Sequence, residues 1–254
     1  MALEQFNLTN KTILITGASG DLGRQTAITA SEAGAHVIIT GRDESKLKQT
    51  LNLLTGDKHQ IIIADLSNED EIAKLAQQIN SVDGIVHSAG KAEFFPTKFI
   101  DRKRITATYE VNFFAPVLLM TSLFKYKKIN KKCSVVFLSS FSGLHPFSNG
   151  ALYCSSKAAI ECYSKVLAVE HIKLQLRSNT IAPAMVRTKL LEESEALAAL
   201  TNANTKQIEE KYLLGYGEPI DVANLIIFLL SDASKWMTGQ NIPIDGGYLR
   251  GLMP

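Results

Sequence analysis

Two polar side chains in the second half of the sequence have the types and the spacing of a proton-transfer pair. Tyr153 and Lys157 stand four residues apart, so a helix places them on one face with adjacent side chains. A free tyrosine has a pKa of about 10, and a neighbouring ammonium group favours the phenolate and lowers that value. We therefore expect Tyr153 to give a proton in carbonyl reduction and to take one in alcohol oxidation.

A serine lies 13 residues before this tyrosine, directly after an apolar run. Ser140 follows Ser134–Leu138, which has the composition of a buried strand. At the end of such a strand its hydroxyl would hold a carbonyl oxygen and, with Tyr153, stabilise a developing alkoxide. Each residue alone also has an ordinary structural interpretation, because Tyr-x-x-x-Lys occurs by chance in many helices.

A glycine-rich turn near the N-terminus predicts a site for a dinucleotide. The apolar run Thr12–Thr16 leads directly into this turn, and a helical segment follows it. Glycines allow the backbone to turn tightly and to approach a pyrophosphate at the helix N-terminus. The predicted binding residues of this turn are Gly17, Ser19, Gly20, Asp21, Leu22 and Gly23.

Residues after the second and third apolar runs bear on the choice of dinucleotide. Arg42 would accommodate the 2′-phosphate of NADP(H), although Asp43 beside it leaves NAD(H) as the alternative. Asp65, followed by Leu66, stands where it would hydrogen-bond the adenine amino group. Asp65 has a second interpretation as a cap of the helix that begins near Asn68.

Alternation of short apolar runs with helix-length segments predicts the fold that positions these residues. Near-continuous apolarity is typical of strands covered on both faces. The fold class is therefore α/β, a doubly wound, Rossmann-type, seven-stranded parallel sheet with helices on both faces. The predicted strands are Thr12–Thr16, His36–Thr40, Gln60–Ala64, Gly84–His87, Ser134–Leu138, Ser178–Ala182 and Asn241–Ile244. The predicted helices are 22–33, 44–54, 69–79, 101–128, 154–172 and 219–230.

The composition limits the classes of protein to consider. The chain has 254 residues, is 46% hydrophobic, and carries 27 Lys plus Arg against 25 Asp plus Glu. These values predict an ordinary globular protein with no basic stripe for nucleic acid. The longest purely apolar stretch is short, so no membrane span is expected. Three cysteines without metal-type spacing, and no signal peptide, favour a cytoplasmic protein without a metal site.

Several ordered motifs together resemble the short-chain dehydrogenase/reductase family over nearly the whole length. The resemblance rests on the glycine turn at 17–23, His87-Ser88-Ala89-Gly90, Tyr109-Glu110-Val111-Asn112, Ser139-Ser140, Tyr153-Cys154-Ser155-Ser156-Lys157, Ala182-Pro183-Ala184-Met185-Val186-Arg187-Thr188, and the tail from Trp236 to Gly247. The members most similar are of the 3-oxoacyl-[acyl-carrier-protein] reductase type.

The resemblance implies roles that the residues alone do not. It implies that Lys157 also bonds the nicotinamide ribose, that Asn112 supports a water chain for proton supply, and that Thr188 contacts the carboxamide. A plain helix N-cap is the competing role of Thr188. Ala89, Gly90, Pro183 and Val186 complete the implied cofactor contacts.

Three positions depart from the family pattern. Asp21 stands where the family usually has the central glycine of the turn, and His87 stands where an asparagine is common. Ala184 replaces a glycine after Pro183. A carboxylate beside a pyrophosphate is unfavourable unless it faces solvent or caps the helix, whereas the other two changes are expected to be tolerated.

The substrate is less well defined than the reaction. The residues expected to line an apolar pocket are Phe94, Phe141, Leu144, His145 and Met185, although each aromatic has an equal interpretation as core. Five lysines between Lys125 and Lys132 either receive an acidic carrier protein or complement a helix C-terminus. The expected substrate is a small-molecule or acyl-carrier-linked carbonyl compound.

The sequence leaves three functions open and predicts both the domain organisation and the assembly of the protein. The first function is NADP(H)-dependent reduction of a ketone; the second is NAD-dependent oxidation of a secondary alcohol such as a sugar or steroid; the third is a dinucleotide sensor without catalysis. Residues 1–254 are expected to form one domain with 189–216 as a substrate lid. The family resemblance implies a homotetramer assembled through helices 101–128 and 154–172.

Overall fold

The computed structural model describes residues 4–189, 191 and 209–251, and their strands form one parallel sheet. The strand order is β3-β2-β1-β4-β5-β6-β7, which confirms the predicted doubly wound fold. The strands are β1 Thr12–Thr16, β2 His36–Gly41, β3 Gln60–Ile63, β4 Val82–His87, β5 Ile129–Leu138, β6 Arg177–Pro183 and β7 Asn241–Ile244.

Helices cover both faces of this sheet. They are α1 Asp21–Glu32, α2 Glu44–Leu51, α3 Glu69–Gln78, α4 Arg102–Tyr109, α5 Ala115–Lys125, α6 Phe141–Leu144, α7 Ala151–Glu170, α8 Pro219–Leu230 and α9 Tyr248–Gly251. One core lies under α3, α5 and α7, and a second lies under α1, α2 and α8. The near-continuous apolarity of the strands follows from this double cover.

The predicted helix 101–128 is wrong as a single element. A π-helical turn, Glu110–Phe114, separates α4 from α5. Pro116 stands in the first turn of α5 and has no N–H to give to the carbonyl of Asn112 four residues before it. The helix therefore widens for one turn at Asn112, and such turns are frequent at functional sites.

The stretch Arg102–Lys125 also qualifies the expectation that nothing could span a membrane. By length and composition alone it is apolar enough to cross a bilayer. Leu119, Met120 and Leu123 are fully buried in the core under α5, which gives the apolar composition a packing role within the fold.

Strand β5 begins five residues earlier than predicted. Its first half, Ile129–Cys133, is polar and gave no apolar signal, yet Val82 pairs with Ile129 across a register shift in β4. Asn130 Nδ2 donates to Asp83 Oδ1 at 2.8 Å, which fixes this polar half. Where β5 ends is unaffected, and that end positions the candidate site.

The carboxyl ends of the strands provide the location for the site. Strands β2 and β3 lie on one side of β1, and β4 to β7 lie on the other side. The direction in which strands are added to the sheet therefore reverses between β1 and β4. In open parallel sheets ligands bind outside the carboxyl ends at such a reversal. The glycine turn follows β1, Ala89 and Gly90 follow β4, and Ser140 follows β5, so these segments meet at one edge.

Candidate active site

Ser140 and Tyr153 are brought together as the sequence predicts. Ser140 is the N-cap of α6 and accepts the N–H of Ser142 at 3.2 Å and its hydroxyl at 2.8 Å. Tyr153 lies in the first turn of α7 and shares a hydrogen bond with Ser140. Both residues line a cavity of about 460 Å³ at the carboxyl edge of the sheet. Two hydroxyls thus face one space that can hold a carbonyl oxygen.

Lys157 lies on the same face of α7 and is buried. Its Nζ donates to the carbonyl of Leu138 at 2.8 Å and lies 5.7 Å from the centre of the Tyr153 ring. Burial lowers the pKa of Lys157 to about 8, and the Glu161 carboxylate opposes that change. The amine is therefore near its titration point at neutral to mildly alkaline pH.

The expected lowering of the Tyr153 pKa is wrong for the chain by itself. Burial raises the pKa of the Tyr153 phenol above its usual value, although the hydrogen bond from Ser140 works in the opposite direction. Lys157 does not reverse this balance because its ammonium lies over the ring and is bonded to Leu138. Tyr153 is therefore held as the neutral acid that donation of a proton requires.

Asn112 lies in the π-helical turn, and its side-chain amide makes three hydrogen bonds. Its Oδ1 accepts the N–H of Lys91 at 2.8 Å, and its Nδ2 donates to the Lys91 carbonyl at 2.9 Å and to Ser156 Oγ at 3.0 Å. These bonds tie the chain after β4 to α7. The implied water chain through Asn112 remains a prediction.

The glycine turn after β1 forms the close approach that the sequence predicts. Gly17 has φ +67°, and a Cβ there would lie 2.7 Å from the Cα and the N of Ala89. A Cβ on Gly23 would lie 2.3 Å from the Gly17 carbonyl oxygen. Gly20 is the N-cap of α1 and gives its first turn no side-chain hydrogen bond. A backbone cradle at an uncapped helix N-terminus fits a pyrophosphate.

Asp21 has an arrangement that neither sequence interpretation anticipated. Its Oδ2 accepts the backbone N–H of Lys189 at 2.8 Å, so it connects the start of α1 to the segment after β6. Gly20, not Asp21, is the N-cap. Where the family usually has a glycine, this chain has a carboxylate that links the glycine turn to the segment after β6.

The residues after β2 leave Arg42 available for a ligand. Asp43 is the N-cap of α2 and accepts the N–H of Lys46 at 3.0 Å, so its carboxylate is already used in the helix cap. Arg42 is exposed, and Ser19 Oγ lies within 3.4 Å of a Cβ placed on Gly41. Arg42 therefore follows a residue that packs on Ser19 of the glycine turn, and its positive charge also acts on the Asp65 carboxylate and lowers its pKa.

Asp65 follows β3 as predicted, and its interpretation as a helix cap is wrong. Its Oδ1 accepts from the N–H of Ser67 at 3.0 Å and from the Ser67 hydroxyl at 2.7 Å, and these bonds lower the pKa of Asp65. Asn68 caps α3 through the N–H groups of Asp70 and Glu71. Leu66 is buried in the core beside it.

Aromatic side chains form much of the cavity wall. Phe94 packs edge-on against Tyr153, with ring centres 5.9 Å apart, and against Phe147 at 5.3 Å. Tyr248 packs against Phe141 at 5.5 Å and against Tyr212 at 4.5 Å. His145 and Met185 line the cavity as predicted. No aspartate, glutamate, lysine or arginine is among the described residues that line it.

One predicted pocket residue is misplaced. Leu144 belongs to the last turn of α6 and is 46% exposed, and it does not line the cavity. The next residue, His145, is also exposed, but it lines the cavity and stacks on Phe141 with ring centres 4.5 Å apart. In a four-residue helix one position changes the direction of a side chain by about 100°.

The end of β6 and the segment after it reach both the cavity and the glycine turn. Pro183, Ala184, Val186 and Thr188 all line the cavity. Thr188 Oγ1 also accepts the N–H of Leu191 at 3.4 Å, which is the capping role that competed with a cofactor contact. Of the predicted lid, residues 190 and 192–208 lie outside the described residues, so the lid stays a prediction.

His87 is accommodated as a neutral core residue. Its ring stacks on Phe137, with centres 4.6 Å apart and planes 6° apart. Burial lowers the pKa of His87 to about 3. The change from the family pattern therefore places no charge beneath the site.

The run of lysines lies at the other edge of the sheet. Lys127 and Lys128 precede β5 and Lys131 and Lys132 lie in its first half, whereas Ser140 follows its end. At about 3.3 Å per residue the strand places Lys132 ~26 Å from Ser140, and the lysines before it lie farther away. Lys128 Nζ donates to the carbonyl of Gln77 at the end of α3, a structural role.

Sequence reasoning missed three residues of the site. Tyr212 and Tyr248 belong to segments without a recognisable motif, and only the folded chain brings Tyr248 to Phe141 and Tyr212 to Tyr248. Glu161 is buried one helical turn after Lys157 and interacts with its charge. The four-residue spacing from Lys157 was a signal that could have identified Glu161.

Comparisons with known proteins agree with this geometry. The sequence profile of a family described as enoyl-(acyl carrier protein) reductase matches residues 17–249. The chain is 31% identical to an L-xylulose reductase of Caenorhabditis elegans, over 96% of this chain and 97% of that protein. It is 32% identical to a 3-oxoacyl-[acyl-carrier-protein] reductase of Rickettsia felis, over 96% of this chain and 98% of that protein.

Solved structures give the same result. A short-chain type dehydrogenase/reductase from Mycobacterium marinum superposes with a TM-score of 0.85 at 28% identity, covering 98% of this chain and 99% of that one. A putative NAD(P)-dependent gluconate 5-dehydrogenase from Beutenbergia cavernae, with bound NADP at low occupancy, superposes with a TM-score of 0.86 at 26% identity, covering 97% and 99%.

Proposed function

Because the chain belongs to the short-chain dehydrogenase/reductase family and is an oxidoreductase, we propose that it reduces a ketone with NADPH, Tyr153 serving as the proton donor. The observation that carries the proposal is the pair of hydroxyls of Ser140 and Tyr153 on one cavity, with Lys157 buried behind them.

The chain's residues divide the work of such a reaction. The hydroxyls of Ser140 and Tyr153 orient the carbonyl oxygen, and Tyr153 gives its proton to the oxygen as negative charge develops there. The nicotinamide cofactor, when bound, supplies the hydride. We propose that the glycine turn, Asp65 with Leu66, Ala89 with Gly90, and the segment Pro183–Thr188 hold that cofactor. Lys157 contributes a positive charge beside Tyr153.

Arg42 supports NADPH over NADH. It is exposed beside the glycine turn, and the competing carboxylate of Asp43 is occupied at the N-cap of α2. Charge-assisted hydrogen bonds to a phosphate are worth about 1.5–3 kcal/mol. We expect Arg42→Ala to weaken NADPH binding about 10- to 100-fold in a fluorescence titration and to leave NADH binding unchanged.

The control is Arg102→Ala, which removes an exposed arginine from α4, away from the turn. If NADH binds more tightly than NADPH in the wild type and Arg42→Ala changes neither affinity, the proposal of NADPH is refuted. The NAD-dependent alcohol dehydrogenase then replaces it.

The cavity supports an uncharged ketone with an apolar body. Phe94, Phe141 and Tyr248 present aromatic surface to it, and its described lining carries no carboxylate, ammonium or guanidinium group. We expect a phenyl-substituted diketone to be reduced with a kcat/KM at least about tenfold above that of a ketose sugar. L-Xylulose belongs in the same panel because of the relative that bears its name; preference for it would overturn the apolar substrate.

Assembly and location complete the proposal. Ile105, Phe114, Val166 and Val169 on α4, the π-helical turn and α7 are large apolar side chains exposed on the chain, and they support a homotetramer built through these helices. Light scattering that gives a monomer would contradict it. All three cysteines are free, which supports a cytoplasmic location, tested by the distribution of a fluorescent fusion protein.

A further inference from the structure

One buried carboxylate has no part in the reaction as described so far. Glu161 lies in the middle of α7, one turn after Lys157, and is only 5% exposed. Glutamate is almost never buried in proteins unless it is paired, because removing its charge from water is costly. Its partners therefore indicate what it does.

The first partners of Glu161 are the two segments that flank Ser140. Glu161 Oε1 accepts a hydrogen bond from the hydroxyl of Ser139, the residue directly before Ser140. The same oxygen would lie 2.7 Å from a Cβ on Gly143, so it packs against the backbone of α6 just after Ser140. The carboxylate thus joins α7, which carries Tyr153, to the loop and helix that carry Ser140.

The second partner is the charge of Lys157. Among the described residues, Glu161 is the charged group that acts on this buried amine, and the other polar contact of Lys157 Nζ is the neutral Leu138 carbonyl. Among the described titratable groups of neighbouring segments, His87 of β4 is stacked on Phe137, and His145 after α6 is stacked on Phe141. Neither contributes to the charge balance of Lys157.

We infer that Glu161 is a positioning residue of the active site: its carboxylate keeps Lys157 in the ammonium form and fixes the Ser139–Ser140 segment against α7. This inference rests on the proposed function, since it assigns a reason for holding Lys157 and Ser140 beside Tyr153. An isolated buried ammonium tends to lose its proton, whereas one with a carboxylate nearby keeps it.

The test compares NADPH binding across pH in the wild type and in Glu161→Gln. The amide still accepts a bond from Ser139 but has no charge, so the alkaline loss of NADPH affinity should move down by about one pH unit or more. In the wild type that loss should lie near pH 8, where burial places the pKa of Lys157. The reduction of a diketone should show the same displacement in its alkaline limb.

Three further variants separate charge from packing. Glu161→Asp keeps the charge and should keep the alkaline limb near that of the wild type. Ser139→Ala removes the hydrogen bond but not the charge, so it should leave the limb unchanged while kcat falls a few-fold. Glu170→Gln makes the same substitution at an exposed position of the same helix and should change nothing.

A measurement without any nucleotide distinguishes this inference from the proposed function. The folded pKa of Lys157, about 8, lies below the value of about 10.4 in the unfolded chain. The unfolded chain therefore binds more protons between these values, and stability from this group rises as pH passes through 8. Removing Glu161 lowers the folded pKa further, so Glu161→Gln should melt below the wild type at pH 7, with a gap that narrows above pH 8.

The outcomes decide each claim separately. The role of Glu161 is supported if the difference in melting temperature between the wild type and Glu161→Gln narrows through pH 8 and the alkaline loss of NADPH affinity moves to lower pH in the variant. The role is overturned if that difference in melting temperature is constant with pH, or if Glu161→Gln and the wild type lose NADPH affinity at the same pH. Glu161 is then a packing residue. A wild type that binds no NADPH refutes the proposed function, and the melting curves alone then decide the role of Glu161.

Discussion

The two halves of the candidate site are built by different means. Around the glycine turn, backbone packs on backbone, and a Cβ on Gly17 or Gly23 would collide with Ala89 or with the turn itself. Across the sheet edge, the cavity wall consists of side chains such as Phe141, Tyr212 and Tyr248, which come from separate segments. The first half tolerates almost no change of shape, whereas the second can change its surface while the strands beneath stay fixed.

This difference shows how the fold can keep cofactor binding constant while the choice of substrate changes. The cofactor half must present the same backbone to every dinucleotide, so its geometry is rigid. The cavity half meets a substrate through side chains that replace one another without moving the sheet. The proposed proton donor Tyr153, with Lys157 and Ser140, lies between these halves, on α7 and just after the end of β5.

The largest expected effect is at this boundary. Tyr153→Phe removes the hydroxyl proposed to give the proton and should lower kcat by about 10²- to 10⁴-fold, the usual contribution of a general acid. NADPH binding should stay within about twofold, because the ring that packs on Phe94 is retained. Steady-state kinetics and a fluorescence titration measure the two quantities.

The control is Tyr163→Phe on the same helix, whose ring packs on Phe113 and Phe137, away from the cavity. Retention of more than about a tenth of the activity in Tyr153→Phe would show that another group gives the proton. If the wild type itself reduces no carbonyl compound yet binds NADPH, the dinucleotide sensor becomes the better description.

The cofactor half should break under the smallest possible change. Gly17→Ala adds a Cβ 2.7 Å from the Ala89 backbone at φ +67°, and overpacking of this kind costs about 1–3 kcal/mol of unfolding free energy. The melting temperature of Gly17→Ala should fall accordingly, and NADPH binding should be lost. Both follow because the turn must move away from Ala89.

Gly20→Ala is the matched test within the same turn. Gly20 has φ −96°, and the nearest atom to its added Cβ is 3.5 Å away, which is an ordinary contact. Gly20→Ala should change the free energy of unfolding by less than about 0.5 kcal/mol. Equal effects at the two positions would mean that the turn is not held by contact with Ala89.

This contrast explains what the sequence could and could not predict. The turn, the Tyr153–Lys157 pair and the parallel sheet follow from local patterns, because one strand, one turn or one helix contains each of them. Tyr248 reaches Phe141, and Tyr212 reaches Tyr248, only because the chain folds into the order β5, β6 and β7, and no local spacing encodes these contacts. Leu144 was predicted wrongly because one residue in a short helix decides which side chain faces inward.

The cavity half should change substrate affinity and leave the chemistry intact. Tyr248→Ala removes an aromatic surface that packs on Phe141 and Tyr212, and it should raise the KM of an apolar diketone about tenfold. The kcat should stay within about threefold, because Tyr248 has no contact with the proton donor among the ring contacts of the described residues.

Tyr126→Ala, at the end of α5 and away from the cavity, serves as the control for losing a tyrosine. A fall in kcat without a change in KM would place Tyr248 in the reaction and not in substrate selection. That result would also weaken the separation of the two halves.

The smallest effect is expected where the two halves touch, at Asp21. Its carboxylate holds the N–H of Lys189, yet it also brings a negative charge to the turn where pyrophosphate would bind. Asp21→Asn keeps an oxygen for Lys189 and removes the charge, so NADPH should bind about two- to fivefold more tightly at low salt. The gain should vanish at about 1 M salt, where such charges are screened. Asp57→Asn, in an exposed loop, should change neither value. Unchanged NADPH binding by Asp21→Asn at both salt concentrations would show that the carboxylate faces away from the phosphates. Asp21 would then not weaken NADPH binding, because its carboxylate serves only to hold the segment after β6.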